Sequence, residues 1–335
     1  MEQFELNDFN KRIGLDTNLD NISKEICKYY RLGEFLSNEL ITIGYEDYNY
    51  YLTTSKGKYC VKIFNNERTK EDIENYLDRI RIISNSEVST PKPLLSQGDI
   101  LYSLDYLNNH YDICVFEYIN GNNFFELKGN ASEKEIKELA KQTALINNLD
   151  VKLDFIYDSW AIINFKYEYN KKKDYLSKDY QDELDKLIIE FDSIDFELLP
   201  YGFVHGDIIS TNVMKDLNSK IWIIDFAVSN YLPRIIDLAV LACNMCLDKN
   251  SKTNTFKNID ILLEEYNKYN ELTEYELSQF KLFYKLANAM HILCPTYIAK
   301  TEGSSEENDY WLNEGILGYS FAKEYNCNLI KEKRR

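Results

Sequence analysis

The chain has 335 residues, 44% of them apolar and 28% charged, a globular balance long enough for two lobes that excludes wholesale disorder and fibrous classes. Asp and Glu number 55 against 39 Lys and Arg, a formal charge of −16, so most of the surface repels a phosphate backbone and nucleic acid is not an expected partner. An anionic ligand therefore has to be held by a local cation or a metal ion.

Glycines and prolines are few, 12 and 5, and no linker rich in them divides the chain. In chain order, residues 19–32 place Ile22, Ile26, Tyr29 and Tyr30 at helical spacing. Residues 39–64 then alternate, with many β-branched and aromatic side chains and a predicted hairpin turn at Lys56-Gly57. A charged amphipathic helix is predicted over 70–83, with Ile73, Leu77 and Ile80 on one face. Pro91 and Pro93 close that region, and strands are expected at 100–107 and 112–119. From Gly121 onward helical patterns dominate, at 132–149, 174–192, 257–269 and 273–293, interrupted by a β-like stretch at 203–226. The acidic run EGSSEENDYW at 302–311 reads as a solvated loop or an acidic lip. This is an α+β plan, with a strand-rich part over 1–119 and a helical part over 120–335, the boundary falling near Asn120-Gly121.

No apolar run approaches the roughly 20 residues that span a bilayer, so no membrane partner is expected. The opening MEQFELNDFNKR lacks the basic-then-apolar layout of a signal peptide. Seven cysteines, odd in number and mostly in apolar stretches, read as core thiols of a reducing compartment. The expected address is the cytosol. Cys243 and Cys246 form a lone C-x-x-C without a second pair, and three histidines do not complete a zinc site.

The chemistry is concentrated in FVHGDIISTNVMKDLNSKIWIIDFAVSNYLPRIIDLA, Phe203 to Ala239. An apolar strand delivers His205-Gly206-Asp207 into a loop, and Asn212 follows five residues after Asp207. A turn at Asn218-Ser219 returns the chain through an apolar strand to Asp225. Phosphoryl transfer asks mainly for positioning and charge neutralisation. Magnesium prefers oxygen ligands and takes only one or two from protein. The carboxylate of Asp225 and the amide oxygen of Asn212 are such ligands, and Asp207 is a candidate base for an attacking hydroxyl. Either Asp or Asn alone would be read as a turn or helix cap. Their conjunction with a rare histidine and two apolar strands is what points to a phosphotransferase. In the first part, Lys62 shares a strand face with apolar neighbours in YCVKIF, which is costly unless its ammonium meets an anion.

This stretch resembles the catalytic core of the aminoglycoside phosphotransferase and homoserine kinase superfamily, relatives of protein kinases with small-molecule acceptors. H-G-D-x4-N is the catalytic loop of that pattern and I-D-F the metal-binding turn. The resemblance implies a bilobal protein-kinase-like fold, with a small antiparallel-sheet N-lobe and a larger, mainly helical C-lobe. It implies Asp207 as catalytic base, His205 as a residue ordering its loop, Asn212 and Asp225 as magnesium ligands, and Asp237 as a buried brace. Lys62 would meet the nucleotide phosphates, steadied by a helix glutamate for which Glu74 is the candidate. Gly44, in Ile43 to Tyr51, resembles the glycine of the nucleotide-covering hairpin. The Glu117 carbonyl and the Ile119 amide would bond the adenine edge. The cofactors implied are ATP (or GTP) and Mg2+. The acceptor would be a hydroxyl of an aminoglycoside-like or homoserine- or amino-alcohol-like molecule, with Arg234 considered for a substrate carboxylate or as a partner of Asp237. One departure is the helix around 136–149, which lacks the histidine many relatives carry, so the role of that residue is expected to be missing. A non-catalytic kinase-like binding or scaffold module, of spore-coat type, is the alternative. Intact Lys62, Asp207, Asn212 and Asp225 argue against it.

Overall fold

A computed structural model describes residues 10–15, 18–42 and 47–329 of the chain. Its residues form two compact units, one of residues 1–121 with 216–224, the other of 122–215 with 225–335.

The first unit is built on a five-stranded antiparallel sheet of order β1-β2-β3-β5-β4, from β1 (Phe35–Leu40), β2 (Tyr48–Thr54), β3 (Gly57–Ile63), β4 (Tyr102–Tyr106) and β5 (Asn109–Glu117). Strand β2 buries alternate residues, Tyr48, Tyr50, Leu52 and Thr54, as a strand with one face on the core must. Its turn to β3 is centred one residue earlier than expected, on Ser55-Lys56, with Gly57 already paired to Thr54. Helix α1 (Leu19–Tyr30) packs Ile22 and Ile26 onto Tyr50, Leu52, Val61, Ile63, Ile113 and Val115. Asn18 caps its start by accepting the Asp20 N–H at 2.9 Å. Helix α2 (Lys70–Ser84) begins in a reciprocal capping box between Thr69 and Asp72 and buries Ile73, Tyr76, Leu77, Ile80 and Ile83.

The second unit is mainly helical. Strand β6 (Gly121–Asn123) leads into α3 (Phe124–Leu127), α4 (Glu133–Asn147), α5 (Phe165–Lys172) and α6 (Lys178–Asp192). Strands β7 (Tyr201–Val204), β8 (Val213–Asp216) and β10 (Asn230–Pro233) follow, with β9 (Ile221–Ile223) between the last two in the segment that belongs to the first unit, then α7 (Ile235–Cys243), α8 (Lys252–Tyr266), α9 (Glu274–Thr301) and α10 (Glu306–Glu324). Helices α9 and α10 approach closely because α10 carries Gly315 and Gly318: a Cβ on the former would sit 2.7 Å from His291, and one on the latter would overlap Asn288. The run 302–311 is thus not one loop. It becomes helical at Glu306, with Ser305 as its cap. All seven cysteines are free, and six are buried. No helix among the described residues is long and apolar enough to cross a membrane.

Candidate active site

The loop carrying Asp207 is fixed from below. β7 buries Phe203 and Val204, and His205 is fully buried after them. Asp237, in the first turn of α7, accepts the His205 N–H at 3.0 Å and the Gly206 N–H at 2.8 Å. Asn147, at the end of α4, donates to the same carboxylate at 2.7 Å and to the Phe203 carbonyl at 3.0 Å. The Tyr266 hydroxyl in turn donates to Asn147 Oδ1 at 2.9 Å. Asp237 therefore has the bracing place expected of it. Burial pushes its carboxyl up to about 6, against the pull of the Gly206, Asn147 and His205 donors. Asn147, a residue the sequence did not mark, shares in that brace. Gly202 is required here, because a Cβ would meet the Asn147 carbonyl oxygen at 2.3 Å.

His205 Nδ1 accepts the Asp207 N–H at 3.1 Å, so that nitrogen carries a lone pair and any ring proton sits on Nε2. The ring packs on Phe226, centroids 4.5 Å apart. His205 thus ties the Asp207 backbone to the turn that carries Phe226. Asn212 Nδ2 donates to the Asp207 carbonyl at 3.0 Å and to its carboxylate at 2.7 Å. That bond fixes the amide's orientation and leaves Asn212 Oδ1 without a donor among the described residues.

Asp225 stands in the turn between β9 and β10. Pairing of β10 with β7, Asn230 opposite Val204, sets this turn beside the Asp207 loop. Phe226 on His205 and a Ser229 hydroxyl donating to the His205 carbonyl at 3.4 Å fasten it there. Asp225 is exposed and left-handed, φ 64°, with its carboxylate accepting the Ala227 N–H at 3.3 Å. A non-glycine residue rarely adopts that conformation unless its surroundings impose it.

A second tie reaches the loop from the C-terminal helix. Asn244 accepts the Ser210 N–H at 2.7 Å and donates to Glu314 at 3.0 Å, while Lys249 pairs with Glu314 at 2.6 Å. Glu314 is buried on α10, just beyond the acidic run 302–311. Arg234 does not pair with Asp237. It is bound by both carboxylate oxygens of Glu276, at 2.7 and 2.8 Å, and by Asn270 and the Glu271 carbonyl, so the structure offers it to no ligand.

In the first unit Lys62 does meet a carboxylate, but not the expected one. Glu74 lies on the exposed side of α2 and pairs with Arg81 at 3.5 Å. Lys62 pairs with Asp47, at the head of β2, at 3.0 Å, and Arg68 grips the same carboxylate at 2.7 and 3.0 Å. Burial alone would push the Asp47 carboxyl up, yet the two cations hold it down at about 2. Glu117 ends β5, its N–H donating to the Lys92 carbonyl at 3.0 Å and its carboxylate accepting the Lys92 N–H at 3.2 Å. Ile119 is buried, and its N–H has no protein acceptor among the described residues. Gly44 lies outside the described residues.

Solved small-molecule kinases share this fold. An amicoumacin kinase in complex with AMP-PNP and Ca2+ matches 99% of this chain and 100% of its own, with a TM-score of 0.68 at 18% identity. A microcompartment-associated aminopropanol kinase matches 91% of this chain and 97% of its own, with a TM-score of 0.61 at 15% identity. The fold is that of the protein-kinase-like small-molecule kinases.

The model of the phosphotransferase enzyme family matches residues 38–272, and the chain belongs to that family. A homoserine kinase of Bartonella henselae is 22% identical over 284 residues, 83% of this chain and 86% of that enzyme. The chain is a small-molecule phosphotransferase with a hydroxyl group as acceptor.

Proposed function

We propose that the chain transfers the γ-phosphoryl group of ATP, in the presence of magnesium, to the hydroxyl of a small amino alcohol. The observation that carries the reading is the state of Asp207: its carboxylate is aimed by Asn212 and its loop is locked by Asp237, His205 and Asn147. A carboxylate so held can accept the proton of an attacking hydroxyl while aligning it for in-line displacement, with no phospho-enzyme. Asp225 and Asn212 Oδ1 are hard oxygen donors of the kind magnesium takes. No cluster of three His, Cys, Asp or Glu exists among the described residues, which suits an ion that draws its other ligands from phosphates and water. When bound, that ion neutralises charge on the transferring phosphate. Lys62 would supply a further positive charge to the nucleotide, and the Ile119 N–H a bond to its base.

For the acceptor, homoserine and an aminopropanol, the compounds named for two relatives, each carry a hydroxyl and an amino group. Arg234 is consumed by Glu276, which favours an amino alcohol without a carboxylate over homoserine itself. A chain of charge −16 also attracts cationic rather than anionic acceptors. The test is ADP release across amino alcohols, amino acids, sugars and aminoglycosides, with Asp207→Asn as control. Turnover is expected with an amino alcohol and should fall by about 10²–10⁴-fold in the variant at unchanged nucleotide affinity. Nucleotide binding with no ADP release on any hydroxyl compound would instead mark a binding module.

A further inference from the structure

Asp47 is completely buried, and a buried carboxylate persists only with its charge compensated. Three residues compensate it here. Arg68 makes a two-pronged grip, Nε to Oδ1 at 2.7 Å and a terminal nitrogen to Oδ2 at 3.0 Å, while Lys62 adds one bond to Oδ2 at 3.0 Å. The Asn65 N–H adds another to Oδ1 at 3.1 Å. Two cations thus share one carboxylate. The two are not equivalent. The planar guanidinium matches a carboxylate in a fixed fork, whereas an ammonium is a point charge on a flexible stem. Both are also seated on rings, Arg68 6.0 Å from the Phe64 centroid and Lys62 5.2 Å from that of Tyr76.

We infer that Arg68 is a positioning residue: by holding the Asp47 charge on its own, it lets Lys62 turn from Asp47 to the phosphates of the nucleotide without stranding a buried anion. A lone Lys–Asp pair in this place would resist that exchange, because each bond Lys62 gave the phosphate would cost the compensation of Asp47. In this chain Asp47 aims the lysine and Arg68 makes the aim reversible. The inference rests on the nucleotide reading given above.

The experiment is calorimetric titration of the full chain with ATP and magnesium, in the wild type and in Arg68→Met, Asp47→Asn and the double variant. Arg68→Met should weaken nucleotide binding by about tenfold or more, because the buried Asp47 then depends on Lys62. Removing the carboxylate as well should restore affinity to within about threefold of wild type, since Asp47 no longer holds Lys62. Unchanged affinity in Arg68→Met overturns the inference. So does a double variant as weak as Arg68→Met, which would make Arg68 a direct phosphate ligand. Where Arg68→Met does not fold, Asp47→Asn and the double variant decide: equal affinities support the positioning role, and a loss in the double variant overturns it. A wild-type chain that binds no nucleotide at all takes down the phosphotransferase reading and this inference with it.

Discussion

Two buried carboxylates fix the two parts of the machinery, and they titrate in opposite senses. The Asp47 carboxyl lies at about 2, below its ordinary 3.8, so the native state binds fewer protons than the unfolded chain between those values. Its contribution, on the order of 2 kcal/mol, is present above pH 4 and is lost as pH falls through 2. The Asp237 carboxyl is raised from 3.8 to about 6, so there the native state holds its proton longer. Its contribution, on the order of 3 kcal/mol, is present below pH 4 and lost as pH rises through 6. Urea unfolding of Asp47→Asn and Asp237→Asn against wild type at pH 3, 5 and 7 checks both signs. The wild-type advantage over the first should shrink from pH 5 to 3, and that over the second should shrink from pH 5 to 7. Differences that do not move with pH contradict the assignment. Residues of this kind were unevenly legible. Asp207, Asn212 and Asp225 announced themselves by spacing around apolar strands and Asp237 by the family resemblance, whereas Asp47 and Asn147 gave no local pattern, because their partners lie 15 and 90 residues away.

Among the elements, α10 was the least readable. It opens with Glu306, Glu307 and Asp309, whose acidity suits the first turn of a helix but also imitates a solvated loop. The short α5 and the turns of 3₁₀ helix beside it were missed for a related reason: eight residues give too few turns for a periodic signal. The long amphipathic helices and the alternating strands were placed closely, since burial on one face imposes their period. α10 matters to the loop through Glu314 and Asn244. Glu314→Ala removes the acceptor of the Asn244 amide and leaves Lys249 unpaired, so Asn244 should lose its hold on the Ser210 N–H. Steady-state kinetics should show kcat lowered by about tenfold with little change in nucleotide affinity, and Glu314→Gln, which keeps an acceptor oxygen, should recover most of it. An equal loss in both variants would assign Glu314 a purely electrostatic part.

Across the whole molecule the excess of acidic groups sets how charged partners arrive. A surface of net charge −16 repels free nucleotide at long range and attracts an amine, and both effects are screened within about 10 Å at 0.1 M salt. Raising the salt from low to moderate should therefore lower kcat/KM for an amino alcohol while leaving that for the nucleotide unchanged or higher. Equal responses would show that local groups alone govern both encounters. The α+β plan and the order of the elements were legible because hydrophobic period and turn residues agree along most of the chain. The buried ion pairs were not, since a charged residue in a sequence carries no mark of which distant partner allows it inside.

The left-handed backbone at Asp225 has a consequence for what the chain can become. A glycine would occupy that turn without strain, but it would take away the carboxylate on which handling of the nucleotide is proposed to depend. Robustness and turnover thus compete at a single codon. A lineage released from phosphate chemistry has a reason to lose this side chain early, whatever it keeps of the surrounding fold.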